Sequence, residues 1–267
     1  MVFIACSTTM GNAMKTADVL HAIANLGFDE VDILGIHQWA PHIQPESWLS
    51  DPIRSKHDLD KLLDQNQLKL RCLNLGLSRE LYDRSETATK LRQTELTAYL
   101  NVMKAYGLSV AALQPGRNPD GELDYFPDYI KTLKEIHAME KAAGVTLALE
   151  LHVGSPVGQL IDANRLLDVI PDLSIIYDPS HFAMQDISLN DTLHLIERTA
   201  HVHVRDAAPG KLQVPYGTGS VDFDLIWQAL INHGYSGGFS IEYIMTEEWD
   251  IGPEILKGRD DIKRWFM

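Results

Sequence analysis

Strand-like apolar runs alternate with helix-like segments eight times along this chain of 267 residues. Because each strand is followed by a helix, the strands of a shared sheet are expected to run parallel. Eight such units predict a closed (β/α)8 TIM barrel that occupies residues 1–267 as a single domain. An open doubly wound sheet is the alternative. That fold usually has a G-x-G-x-x-G turn after its first strand, and the segment CSTTMGNAMK lacks this motif.

The pattern predicts where each element begins and ends. The predicted strands are 2–7, 30–35, 69–76, 109–114, 145–150, 173–178, 201–205 and 238–242. The predicted helices are 16–26, 57–65, 86–106, 126–143, 162–169, 189–198, 223–232 and a C-terminal helix. Glycines that follow helical runs predict left-handed C-caps at Gly27, Gly107, Gly144 and Gly234. The connection 36–55 is too long for an ordinary turn, so we expect it to cover the barrel mouth.

The composition excludes some classes of partner. A net charge of -14 argues against nucleic acid, whose phosphates require a basic surface. No apolar run approaches the length of a membrane span, and the N-terminus resembles a strand more than a signal peptide. Cys6 and Cys72 lie in apolar runs and are expected to be buried thiols in a reducing cytoplasm. The sequence is compatible with a homo-oligomer.

Hard metal ligands occur at or near the ends of the last four predicted strands. They are Glu150, Asp178, His203 and Glu242. The carboxyl ends of parallel barrel strands meet at one mouth, so these side chains should converge there. Three carboxylates and one imidazole favour Mn²⁺ or Mg²⁺, and Co²⁺ or Zn²⁺ could also bind.

The period of two within each strand supports this convergence. It places the polar residues of these four strands on one face and the apolar residues on the other, which should pack on the helices. Buried carboxylates are costly unless they are paired or bind a metal. Taken singly, Asp178 before a proline could be a cap, His203 a core residue and Glu150 a salt-bridge partner. Their occurrence on consecutive strands favours the shared site.

Four motifs give a family resemblance along nearly the whole chain: ALELH, YDPSH, HVHVRD followed by PYGTGSVDF, and GFSIEY. With them the chain resembles the xylose-isomerase-like barrel family of sugar isomerases and epimerases. The resemblance implies metal binding by Glu150, Asp178, His203 and Glu242, and substrate contact by His181. Relatives that epimerise ketoses at carbon three place an arginine six residues after the metal histidine, where this chain has Pro209.

The resulting hypothesis is a metal-dependent isomerase or epimerase of a small sugar or keto-polyol. The cation would stabilise an enediolate, and Glu150 and Glu242 would act as base and acid. Side chains expected to contact the substrate are His181, His152, Arg205 and Trp39. Trp39 could instead pack on the barrel rim. One alternative is a dehydratase of a keto-inositol or of dehydroshikimate on the same scaffold, and another is a barrel that binds sugar without turnover.

Overall fold

Eight parallel strands close into a barrel in a computed structural model, which describes residues 2–119 and 124–267. The strands are β1 (Ile4–Ser7), β2 (Glu30–Ile36), β3 (Ala40–Pro41), β4 (Lys69–Gly76), β5 (Val110–Leu113), β6 (Thr146–Glu150), β7 (Ile175–Tyr177), β8 (Thr199–Val204) and β9 (Gly238–Ile241). β1 pairs with both β2 and β9, which closes the barrel. The short β3 lies outside it, antiparallel to β2. The predicted TIM-barrel fold is confirmed.

Helices surround the barrel. They are α1 (Thr16–Asn25), α2 (Pro45–Ser50), α3 (Pro52–Gln65), α4 (Glu86–Tyr106), α5 (Phe126–Ala143), α6 (Leu160–Val169), α7 (Pro179–Met184), α8 (Leu189–Thr192), α9 (Phe223–Asn232) and α10 (Ile251–Phe266). Thr8–Gly11 and Leu193–Arg198 are 3-10 helices, so the predicted helix 189–198 consists of the short α8 followed by a 3-10 helix. Among the described residues, no helix has both the length and the apolar character needed to cross a bilayer.

Local chemistry explains the helix ends. α3 begins before the predicted 57–65 because the Asp51 side chain accepts a hydrogen bond from the Arg54 amide and Pro52 occupies the first helical position. Gly107 and Gly144 end α4 and α5 with φ of 63° and 70°, a left-handed conformation that suits glycine.

As the period of two predicts, one face of each strand packs against the helices and the other faces the barrel interior. Outward residues of β6, β8 and β9 pack in the main hydrophobic core beneath the helices. Inside the barrel, Ala112, Ala148 and Ile176 form a small separate apolar cluster. Cys6 and Cys72 are free, buried thiols. The remaining interior is polar toward the carboxyl ends of the strands, and this polar end forms the candidate site.

Candidate metal and substrate site

A cavity of about 670 Å³ opens at the carboxyl ends of the strands. Six of the residues predicted from the sequence border it: Glu150, Glu242, His152, His181, Arg205 and Trp39. The segment 36–55 contributes only its beginning, residues 36–39, to the cavity wall. Trp48 of α2 is 4% exposed and packs edge-on against Tyr106 of α4, with ring centroids 6.2 Å apart. Of this segment, residues 36–39 border the cavity, whereas α2 packs against α4.

The four predicted metal ligands come together at the base of the cavity. One ligand atom from each of Glu150, Asp178, His203 and Glu242 lies within 4.8 Å of the others, and all four side chains are buried. Nδ1 of His203 is 2.8 Å from Oε1 of Glu150 and 3.1 Å from Oε2 of Glu242. Although their strands are separated by β7 and β8, the two glutamates meet at one imidazole.

The charges of this group favour a cation. Burial alone would lower the pKa of His203, but the facing Glu242 and Glu150 carboxylates raise that pKa well above 6.5. Burial also opposes ionisation of Glu242, yet the charged ring lowers the pKa of this glutamate to about 2. For Asp178 burial has the larger effect, and its pKa is raised despite the attraction of Arg205. Buried carboxylates in excess over cationic groups, with hard oxygen ligands and one imidazole, fit a divalent cation.

Three residues that the sequence reasoning missed hold the glutamates in place. Asn74 Nδ2 and Thr9 Oγ1 donate to Oε1 of Glu242, at 2.9 Å and 3.1 Å. Gln114 donates to Oε2 of Glu150 and, at 2.9 Å, to Oδ1 of Asn74. Asn74 lies on β4, and Thr9 and Gln114 follow β1 and β5. All three lie toward the same end of the barrel as the acidic ligands, but neutral side chains at such positions are not unusual by themselves.

Arg205 hydrogen-bonds several groups of the site. Its Nη2 donates to Oδ2 of Asp178 at 3.1 Å, and its Nη1 donates to the Glu242 carbonyl at 3.2 Å. Nη2 and Nε also contact the Ser180 hydroxyl. The other oxygen of Asp178 caps α7 by accepting from the Ser180 amide at 2.8 Å. Arg205 borders the cavity, but only 3% of its surface is exposed, because its guanidinium bonds Asp178, Ser180 and the Glu242 carbonyl.

Two histidines form one wall of the cavity. The rings of His152 and His181 lie 4.0 Å apart, and Nδ1 of His152 is 2.6 Å from the Val153 carbonyl. Neither ring nitrogen of His181 has a hydrogen-bond partner among the described residues. Burial, with the neighbouring His152, lowers the pKa of His181 well below 6.5, so the ring is neutral. Trp39 is 39% exposed on the rim. All three side chains line the cavity, although His181 itself has no exposed surface.

A second polar group lies deeper in the barrel. Ligand atoms of Asp32, His201 and His203 also lie within 4.8 Å of one another. Burial raises the pKa of Asp32 to about 6, and the nearby His203 and the Ser240 hydroxyl oppose the rise. Nε2 of His201 is 2.7 Å from the Ser240 hydroxyl, and burial lowers the pKa of His201 well below 6.5. The same period-two reasoning could have identified Asp32 as an inward residue of β2.

In the glycine-containing loop after β8, one aspartate binds the backbone amides of the loop itself. The side chain of Asp206 accepts from four backbone amides, those of Ala207, Gly217, Gly219 and Val221, at 2.8, 2.8, 2.9 and 3.3 Å. These four amides are occupied by a side chain of the same loop. The glycines of the loop therefore serve its turns.

The family model that matches this chain is described as a xylose isomerase-like TIM barrel, and it matches residues 20–264. A curated relative, L-ribulose-5-phosphate 3-epimerase UlaE of Escherichia coli (strain K12 / DH10B), is 31% identical over 136 residues. That match covers 49% of this chain and 48% of the relative, so the chain spans about half the length of this relative.

Solved structures match over nearly the whole length. D-allulose 3-epimerase from Methylomonas sp., solved in complex with D-allulose, has a TM-score of 0.76 at 16% identity and covers 99% of this chain and 97% of its own. A xylose isomerase-like TIM barrel protein from Mycobacterium smegmatis, in complex with magnesium, has a TM-score of 0.76 at 16% identity, with coverage of 99% and 96%. At this identity these structures show a shared fold. With the family match over residues 20–264, the chain belongs to the xylose isomerase-like TIM barrel family.

Proposed function

We propose that this protein is a divalent-metal-dependent epimerase or isomerase that moves a proton beside the carbonyl group of a small sugar. The observation that carries the proposal is the convergence of two glutamates, Glu150 and Glu242, on one imidazole at the base of an open cavity. Epimerisation needs a base on one side of the substrate carbon and an acid able to return the proton. Two carboxylates held by strands that are separated by β7 and β8 meet that need.

The metal would be held by Glu150, Asp178, His203 and Glu242, and Mn²⁺ or Mg²⁺ suits this donor set best. A bound divalent cation supplies a Lewis acid that stabilises negative charge on a carbonyl oxygen. The chain's own contribution is orientation. Each glutamate has one oxygen toward His203 and the other toward an amide donor, Gln114 or Asn74. We assign proton transfer to the amide-held oxygens, Oε2 of Glu150 and Oε1 of Glu242.

The cavity walls suggest the class of substrate. Neutral His181, whose ring nitrogens make no hydrogen bond within the described part of the chain, and His152 beside it would contact hydroxyl groups of a sugar. Trp39 would cover one face of the sugar from the rim. Arg79 and Arg117 are exposed on the same rim of an acidic chain, so a phosphate group could be attracted there. Two of the proteins named above are an epimerase of a ketose phosphate and an epimerase bound to a ketose, so both kinds of sugar belong in the test.

The test is proton exchange in D₂O with Mn²⁺ and a panel of pentuloses, hexuloses and their phosphates, followed by ¹H NMR and mass spectrometry. Deuterium at the carbon beside the carbonyl, together with a new sugar isomer, is the expected result. Loss of water from the substrate would instead indicate the dehydratase alternative. Tight binding of panel sugars without exchange would indicate a sugar-binding barrel and would refute the proposal.

Variants then test the two glutamates. Glu150→Gln and Glu242→Gln keep size and one ligand oxygen, and each should lose roughly 10²–10⁴-fold or more in turnover. Glu140→Gln is the matched control, because Glu140 is a buried glutamate of α5 that accepts from the Leu147 amide outside the site. Near wild-type turnover in either site variant, with metal retained, would contradict the mechanism.

A further inference from the structure

Asp32 is a carboxylate inside the barrel that the proposed reaction does not use. It lies on β2 between Val31 and Ile33, which pack outward in the hydrophobic core, and it pairs in register with Ser7 and Cys72. Its side chain is fully buried, and neither oxygen has a hydrogen-bond partner among the described residues. Burying an unpaired carboxylate costs free energy, so barrel packing alone gives no reason for an aspartate here.

The nearest feature that needs a carboxylate is the far side of the His203 ring. Nδ1 of this ring faces Glu150 and Glu242, whereas Nε2 is buried, has no partner, and lies 3.9 Å from Oδ2 of Asp32. A neutral imidazole that binds a cation through Nδ1 must carry its proton on Nε2. An unpaired donor and an unpaired acceptor therefore face each other across a gap slightly too long for a hydrogen bond.

We propose that Asp32 is the positioning residue for His203. It accepts the Nε2 proton of the ring, directly or through one water, and so holds the tautomer that leaves Nδ1 free for the cation. A carboxylate behind a ligating histidine also fixes the ring orientation and makes the ring a stronger ligand. The inference rests on the proposed role of His203 as a ligand, and it does not depend on which sugar the protein converts.

Metal affinity tests this role without any substrate. Asp32→Asn keeps an acceptor oxygen but removes the charge, and Asp32→Leu removes both while it keeps the number and branching of the heavy atoms. In competition titrations with a Zn²⁺ or Mn²⁺ chelator, the affinity for the metal should fall in Asp32→Asn and fall further in Asp32→Leu, by about 10–100-fold overall. Cys72→Ala is the control, because Cys72 is the inward register partner of Asp32 and, among the described residues, its thiol bonds the carbonyls of Leu73 and Val110 and not His203. His203→Ala should lose most of the binding.

Two further readouts separate positioning from packing. The metal-free melting temperature of Asp32→Leu should stay close to that of the wild type, since the lost attraction to the protonated His203 ring is offset by the removal of a buried carboxylate. In the Zn²⁺-loaded wild type, ¹⁵N NMR should place the proton of the His203 ring on Nε2, and its resonance should shift in Asp32→Asn.

Distinct outcomes would overturn the proposal. Unchanged affinity in both Asp32 variants, while His203→Ala loses the metal, would remove Asp32 from the site and leave the proposed function standing. Metal retention in all three variants would reject His203 as a ligand, and the role of Asp32 with it. Equal losses in Asp32→Asn and Cys72→Ala would indicate general packing damage. Two ions per chain, one of them lost in Asp32→Leu, would make Asp32, His201 and His203 a second metal site.

Discussion

Replacing Asp206 by asparagine should destabilise the loop after β8 and, through it, the cavity. The Asp206 carboxylate accepts from four backbone amides, two on each oxygen. Asparagine can keep one pair, but its NH₂ group would face the other pair, donor against donor. Hydrogen bonds to a charged group contribute roughly 1.5–3 kcal/mol each. The amides of Gly217 and Gly219 belong to exposed residues that water can reach, so we expect a net loss of about 2–3 kcal/mol.

A loss of this size is measurable. One kcal/mol corresponds to about 2–4 °C for a protein of roughly this length, so the melting temperature should fall by about 5–10 °C. Urea denaturation should give the same loss with an unchanged m-value. The loop also carries Leu212, which borders the cavity, and Gln213, whose side chain bonds the backbone of Ile244 after β9. We therefore expect the KM for a confirmed substrate to rise more than the turnover number falls.

Asp222→Asn is the matched control. Asp222 is the N-cap of α9 and accepts from the Leu225 amide at 3.0 Å. Asparagine caps helices about as well as aspartate, so this variant should lose no more than a few tenths of a kcal/mol. If Asp206→Asn is as stable as Asp222→Asn, the four amides do not depend on the carboxylate, and the account of the loop is wrong.

Two further predictions concern the metal and the pH. At a free Mn²⁺ concentration of 100 times its Kd, unfolding should cost about 2.7 kcal/mol more than after EDTA treatment. Calorimetry should show that gain, and His203→Ala should abolish it. His42 bonds Thr8 and the Met14 carbonyl, and burial holds its pKa below 6.5. The folded state therefore binds fewer protons at His42 than the unfolded chain does, and the contribution of this residue to stability should fall as the pH drops through 6.5. His42→Gln should flatten that fall in the metal-free protein, and an identical pH profile would contradict it.

The residues that the sequence revealed are those whose positions follow from strand direction and period. Glu150, Asp178 and Glu242 each lie at the end of a parallel strand or directly after it, and closure of the barrel brings such ends together. The pairing of β8 with β9 places His203 opposite Ser240, on the inward face. Strand direction thus selects the end of the barrel, and the period of two selects the face.

The support around the ligands was harder to predict, because it depends on contacts distant in the chain. Thr9 and Asn74 reach Glu242 across 233 and 168 residues. Neither a threonine after a strand nor an asparagine within one is unusual by itself. The packing of Trp48 against α4 likewise depends on the path of the connection after β2, which residue spacing does not determine.

The charges inside the barrel connect these observations. The carboxylates of Glu150, Asp178, Glu242 and Asp32 lie around His203. Among the described residues, Arg205 is the one guanidinium that contacts an acidic side chain of this group. A protonated His203 offsets one more negative charge, but acidic groups still outnumber cationic ones in a buried place, where such an excess is costly. A divalent cation brings more positive charge than the single proton it would displace from the ring. The same donor set that would hold the cation is therefore destabilising without it, which is why we expect metal binding and folding stability to be tightly linked in this protein.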